Sequence, residues 1–171
     1  CDVTMDLPKT TPLHGWHAAN GGRMVPFAGW DMPVEYKKTG IAKEHVAVRS
    51  SCGIFDVSHM GRFYIAGKSA LDMLQFVLTN DSSQLKPGQA QYSFLVKHGE
   101  GARPLTLDDV YLYMLAEEEY ALVVNAANAE QDFNYISSHA AEFGVTLLDV
   151  TEQTSLISVQ GPQSRHTLEQ L

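Results

Sequence analysis

The stretch TLDDVYLYML, residues 106–115, carries two adjacent carboxylates, Asp108 and Asp109, at the head of an apolar run. A carboxylate that enters a pocket can orient a ligand or accept its proton. In an extended chain successive side chains point to opposite faces, so the two acids cannot share one environment. Asp108 belongs with Val110, Leu112 and Met114, and Asp109 with Tyr111, Tyr113 and Leu115. The first set is uniformly apolar and is expected to meet covering helices. The second joins apolar rings to hydroxyls that seek partners, as where a sheet faces a ligand or a neighbouring domain. Parity therefore selects Asp109. Periodicity alone leaves equally open that both acids merely begin the strand from a solvated turn.

Other residue groupings offer less. His14 and His17, three apart on an expected helix, could share a metal, but no third ligand accompanies them at a recognisable spacing, so packed or surface histidines are the better reading. Asp56, Ser58 and His59 supply the residue types of a nucleophilic triad, yet neighbours in sequence do not converge as a triad must. Gly67–Lys68–Ser69 lacks the upstream glycine of a phosphate loop, because Phe63 to Gly67 reads as strand.

These residues must be positioned by a chain of 171 residues, 44% hydrophobic and 19% charged, with a formal charge of −8. That length suits one full domain, or one with parts of a second. With 12 basic against 20 acidic residues and no basic run, nucleic acid is not an expected partner. No apolar stretch reaches membrane-spanning length, so no membrane span is expected. Cys1 and Cys52 are too far apart in sequence to mark a disulfide framework or a zinc knuckle, and a reducing compartment fits.

The spacing predicts a short helix through LHGWHAAN, ended by Gly21–Gly22, and a second through GIAKEHVAVRSSCG, ended by Gly53. Between them MVPFAGWDMPVEY, residues 24–36, is expected to lack regular structure because of its two prolines and glycine, yet to pack on something. From Gly61 the pattern reads strand RFYIAG, helix SALDMLQFVLTN opened by a capping box of Ser69 and Asp72, and strand QYSFLV. DVYLYML and YALVVNA then form a hairpin around Glu117–Glu118–Glu119. A helix capped by Asn128 and closed by Gly144 follows, and VTLLDV is the last strand. This β-α-β-β-β-α-β order predicts an α+β fold, a split β-α-β-like antiparallel sheet with its helices on one face. GPQSRHTLEQL opens another helix whose Leu168 and Leu171 find no partner downstream, so the chain reads as part of a longer protein.

Taken in order, TPLHGWHAANGGRMVPFAGWDMPVEY, EHVAVRSSCGIFDVSHMG, LTND, LKPGQAQYS, LDD, VVNAAN and VQGPQS resemble the N-terminal half of the glycine cleavage T-protein, the folate-dependent aminomethyltransferase. The resemblance implies a discontinuous folate-binding first domain, here 1–54 and 151–171, with a sheet-and-helix second domain, 55–150, inserted in it. It implies release of ammonia from an aminomethyl group on the lipoyl arm of the partner H-protein, with transfer of the one-carbon unit to tetrahydrofolate. The catalytic acid would be Asp109, the second residue of the Asp–Asp pair. Asn125 would hydrogen-bond the pterin, Tyr92 and Met60 would pack against folate, and residues 24–36 would stabilise the domain junction. The setting would be a bacterial cytoplasm or, in second place, a mitochondrial matrix. The family places glycines just before the acids, where this chain has Pro104 and Leu105, so the turn aiming Asp109 is expected to be rebuilt. Competing readings are a folate-dependent demethylase-type relative, a non-catalytic folate-binding assembly factor, and an inactive fragment; this segment alone is expected to be inactive.

Overall fold

A computed structural model describes residues 7–99 and 103–171. In chain order the first elements are β1 (Lys9–Thr10), α1 (His14–Ala19), β2 (Gly22–Phe27), β3 (Trp30–Tyr36), α2 (Gly40–Ser50) and β4 (Gly53–Asp56). The central elements are β5 (Gly61–Ala66), α3 (Ala70–Val77), β6 (Ala90–Lys97), β7 (Leu105–Ala116), β8 (Glu119–Val124), α4 (Ala129–Phe143) and β9 (Thr146–Asp149). β10 (Ile157–Gln160) and α5 (Ser164–Leu168) follow. The described residues form two compact units, one running to His59 and resuming at Thr154, the other spanning Met60–Gln153.

The second unit has the expected α+β character. Its five strands lie in the order β6-β7-β8-β5-β9, every pair antiparallel. The buried side chains of β5, β7 and β8 join Met73, Leu74 and Val77 of α3 and Ile136 and Ala140 of α4 in one cluster. At ~1.5–3 kcal/mol for each large apolar side chain fully removed from water, this cluster dominates the unit's stability. The helices cover one face; Tyr92, Phe94, Tyr111, Tyr113 and Leu115 remain exposed on the strands. Gly61 lets α4 come close to the sheet, since a Cβ there would lie 2.5 Å from Val124 Cγ2 and 2.9 Å from Ala129 Cβ.

The first unit contains a three-stranded sheet, β1-β3-β2, with β1 parallel to β3, and the antiparallel pair β10–β4. Here the expectation for residues 24–36 fails: the segment lies in a hairpin of β2 and β3 turning at Ala28–Gly29, both at positive φ. The prolines are tolerated because β2 is an edge strand and β1 pairs with β3 only at Trp30 and Asp31, leaving Pro33 an open side. Trp30 and Met32 are buried as that segment's packing residues, while Phe27 and Val34 are exposed. Gly161 follows β10 at φ +122°, with a Cβ there falling 2.4 Å from the Ser51 carbonyl oxygen, so only glycine fits.

Two helix starts fall where expected but are held differently. Ser69 precedes α3 and Asn128 precedes α4, yet neither side chain makes a cap bond. Ala70 N–H instead donates to the Gly67 carbonyl. Gly144 closes α4 in the left-handed region at φ +67°. Among the described residues no helix is long and apolar enough to cross a membrane.

Candidate functional site

β7 alternates strictly from Asp108 onward, with Asp108, Val110, Leu112 and Met114 buried and Asp109, Tyr111, Tyr113 and Leu115 exposed. A bulge fixes this phase: Leu95 pairs with Asp108 but Val96 with Thr106, so Leu107 is the extra residue. Ladder pairing then determines the neighbours of Asp109. Phe94 lies opposite it and Tyr111 opposite Tyr92. Tyr111 also pairs with Val123 of β8, so the same face continues to Asn125, just past the strand end.

Asp109 is held from both sides by these neighbours. The Tyr92 hydroxyl donates to its Oδ2 at 3.1 Å, and the Asn125 amide Nδ2 donates to its Oδ1 at 3.1 Å. Tyr92 packs edge-on against Phe94 and Tyr111, with ring centroids 5.5 and 5.4 Å away. Its strand is fixed from behind: the Asn80 side chain donates to the Tyr92 carbonyl, and the buried Ser93 hydroxyl accepts from the backbone N–H groups of Thr79 and Asn80. Partial desolvation, then the bond to Asp109, raises the Tyr92 phenol above its ordinary pKa and keeps it a donor. The result is an exposed carboxylate, oriented by two donors, on an aromatic sheet face.

Behind it lies a second, buried layer. Asp108 is 5% exposed and accepts from Asn125 N–H at 2.8 Å, Asn125 Nδ2 at 2.9 Å and Asn128 Nδ2 at 2.7 Å. Burial disfavours its charge, but the bonds from Asn125, Asn128 and the neighbouring Asp132 overcome that and hold its pKa below the ordinary value. Asp132 of α4 is fully buried, and neither of its carboxyl oxygens receives a donor among the described residues. Desolvation first, then the adjacent Asp108, push its pKa up to about 8. Asn125 links the layers, because its amide nitrogen reaches both Asp108 and Asp109 and leaves its carbonyl oxygen for another donor.

Residues 13–171 match the family described as GCVT N-terminal domain. The chain belongs to that family. It is 50% identical over 161 residues to the aminomethyltransferase of Deinococcus deserti, covering 94% of this chain and 43% of that protein. It is 47% identical over 163 residues to that of Thermus thermophilus, covering 95% of this chain and 45% of the relative. The crystal structure of glycine cleavage system aminomethyltransferase T from Bartonella henselae superposes with a TM-score of 0.86 at 38% identity, covering 96% of this chain and 44% of that one. The T-protein resemblance drawn from the motifs is thus borne out. This family member spans less than half the length of these relatives.

Of the residues that the resemblance singled out, the structure brings Asp109, Asn125 and Tyr92 together. Met60 leads into β5, whose Gly61 pairs with Val124, at the sheet end where Asn125 stands. Its carbonyl accepts from Arg62 Nη1 at 2.5 Å. The rebuilt turn expected before the acids falls partly on residues 100–102, which lie outside the described residues; Leu105 itself is already in the ladder, opposite Lys97.

Sequence reading missed Asp132 and the true work of Asn128. The signal for Asp132 was present: it sits four residues before Ile136 and eight before Ala140, on the buried stripe of α4. His17 was also underread. It is buried, with Nε2 2.9 Å from Asp56 Oδ2 and Nδ1 2.6 Å from the Tyr36 hydroxyl. Thr11 Oγ1 donates to the same Asp56 oxygen at 2.6 Å and Ser58 N–H to the other at 2.9 Å. Burial opposes the Asp56 charge, but bonds from Ser58, Thr11 and His17 outweigh it and hold its pKa at about 2. His14 pairs with Asp31 at 2.8 Å. Among the described residues no group of three or more His, Cys, Asp or Glu could hold a metal.

Proposed function

We propose that this chain supplies one wall and the reactive carboxylate of a tetrahydrofolate-dependent aminomethyltransferase. That enzyme releases ammonia from the aminomethyl-lipoyl arm of the H-protein and forms methylenetetrahydrofolate. The observation that carries the reading is Asp109 itself: exposed beside aromatic rings and oriented by Tyr92 and Asn125. A pteridine is flat and aromatic with amide-like edges. It suits rings for stacking, the free Asn125 carbonyl oxygen as acceptor, and a carboxylate to hold the attacking nitrogen and take its proton. Met60, at the same end of the sheet, adds an adaptable apolar contact.

In this reading residues 1–54 and 151–171 are pieces of the discontinuous first domain and 55–150 the inserted second, in a bacterial cytoplasm or, second, a mitochondrial matrix. The relatives' names and the coverage of under half their length support an enzyme whose other folate contacts lie outside this segment. Tetrahydrofolate is accordingly expected to bind the 171-residue chain weakly, without measurable turnover. The test is Asp109→Asn in the protein extended to the full length of its relatives. Turnover should fall on the order of 10²–10⁴ with folate affinity changed by only a few-fold. Unchanged turnover, or an equal loss from affinity alone, would remove Asp109 from the reaction.

A further inference from the structure

Asp132 is a buried acid that the proposed reaction does not use. Asn128 joins it to Asp108: its carbonyl accepts the Asp132 N–H at 2.9 Å, its side-chain Nδ2 donates to Asp108 Oδ1 at 2.7 Å, and both carboxyl groups are buried. Their hydrogen-bond environments are opposite. Asp108 collects three N–H donors from Asn125 and Asn128, as an ionised carboxylate should. Asp132 collects none among the described residues. A carboxylate buried without donors is strongly disfavoured, whereas a carboxylic acid needs only one acceptor for its O–H. Asp108 has a lone pair to spare for it, since its Oδ2 takes one N–H donor.

We propose that Asp132 is a neutral acid that donates its proton to the Asp108 carboxylate, and that this proton-sharing pair is a positioning device for Asn125 and, through Asn125, for Asp109. One proton and one negative charge are divided between the two carboxyl groups, and no other reactant is needed. With its acceptor atoms held in place, Asp108 fixes the Asn125 backbone N–H and side-chain amide together, and that amide spans to Asp109. Asp132 is thus a positioning residue two steps removed from the exposed carboxylate.

Among the described residues, little else titrates against it. Asp108 on β7 is the charged neighbour acting on Asp132, alongside its own burial. The buried residues of β8 and α3 in the core cluster, Leu122, Val124, Met73, Leu74 and Val77, are all apolar. On β5, Phe63 faces the core, while the Arg62 guanidinium is engaged with the carbonyls of Met60 and Thr151. On α4 itself, Glu130 is solvent-exposed in the first turn. That turn would favour a negative charge through the helix dipole, but the effect is confined to helix ends and is weaker than full burial without donors.

The proposal rests on reading Asp109 and Asn125 as the site, and its test separates the two. The carboxyl carbons of the aspartates and the side-chain amide of Asn125 are followed by NMR through a pH titration of the 171-residue chain, without ligand. One aspartate is expected to stay protonated through neutral pH and to vanish from the set in Asp132→Asn. The Asn125 amide protons should shift with the same midpoint in the unaltered chain and lose that midpoint in Asp132→Asn, keeping only the acid shifts of Asp108 and Asp109. Asp132→Ala, which offers no donor, should speed exchange of those protons at least tenfold, while Asp132→Asn restores protection. An Asp132 that titrates with the exposed acids, or Asn125 signals indifferent to it, would overturn the proposal. Signals of Asp109, Asn125 and Tyr92 unmoved by tetrahydrofolate in the protein extended to the full length of its relatives would count against the folate reading alone.

Discussion

Each unit buries a carboxyl group, and the two are driven in opposite directions. Asp56 in the first unit and Asp132 in the second are both almost inaccessible, yet the first is held at about 2 and the second at about 8. Burial is common to both and cannot explain the difference. Donors can: Asp56 receives them from Thr11, His17 and Ser58, whereas Asp132 receives none among the described residues and faces another carboxylate. The pair teaches that in a dry interior the sign of a carboxyl's shift is set by what points at it. It also shows two ways of fixing a unit. The first unit, with Ile41, Val46, Ile54 and Phe55 exposed and no buried residue on α2, relies on a charged polar lock. The second has a continuous apolar core and places its acids at one end of it.

The largest effect expected from breaking this contrast is in Asp56→Ala. It leaves buried donors from Thr11, His17 and Ser58 without an acceptor and should cost about 3 kcal/mol. Loss of hydrogen-exchange protection in β3 and β4 would register it, and unchanged protection would mean the lock is incidental.

Next comes pH. Because the folded pKa of Asp56 is depressed, its stabilisation is present above the unfolded value near 4 and is lost as pH falls toward 2, about 2 kcal/mol in all. Asp132 behaves in reverse. Its folded pKa is raised, so the native state binds the extra proton and stability declines as pH rises from about 4 to about 8, then levels off. Denaturation across pH with exchange read separately in each unit should show both units losing stability in acid, through Asp56 and Asp108, and the second alone weakening as pH rises through neutrality. Parallel profiles in the two units would defeat the comparison.

Tyr36→Phe should cost about 1 kcal/mol, since it deprives buried His17 Nδ1 of its partner and leaves the Asp56 bond intact. Smallest in acid is Asp132→Asn. At about pH 4 a neutral amide replaces an acid that is neutral when folded and can still donate to Asp108, so stability should stay within about 1 kcal/mol; the decline between about 4 and about 8 then disappears, leaving the variant the more stable at neutral pH. A chemical-denaturation series at pH 4 and pH 8 decides it. A variant less stable than the unaltered chain at the higher pH would mean that Asp132 is ionised when folded.

Much of the second unit was legible in the chain. The two-residue alternation of β7 separates Asp108 from Asp109 onto opposite faces, and the order of strands and helices from Gly61 to Val150 follows from periodicity and turn residues. Gly144 ends α4 because the left-handed cap suits glycine. The resemblance, carried by long composite motifs, was likewise in the sequence. Less was legible in the first unit. Pro26 and Pro33 argued against strand, and whether a strand tolerates proline depends on which of its sides is paired, which neighbours in sequence do not reveal.

The sequence by itself determined which face each residue of β7 takes, because side-chain direction along a strand depends only on the local backbone. Tertiary structure alone decided what meets those faces. The donors that keep Asp108 ionised come from Asn125 and Asn128, 17 and 20 positions downstream, and are brought to it by the β7–β8 ladder and the close approach of α4 over Gly61. The same approach buries Asp132 against Asp108, and the fold of the first unit brings His17 to Asp56 across 39 positions. A carboxyl group's charge is a property of the field and donors around it, and those are assembled only when distant segments pack.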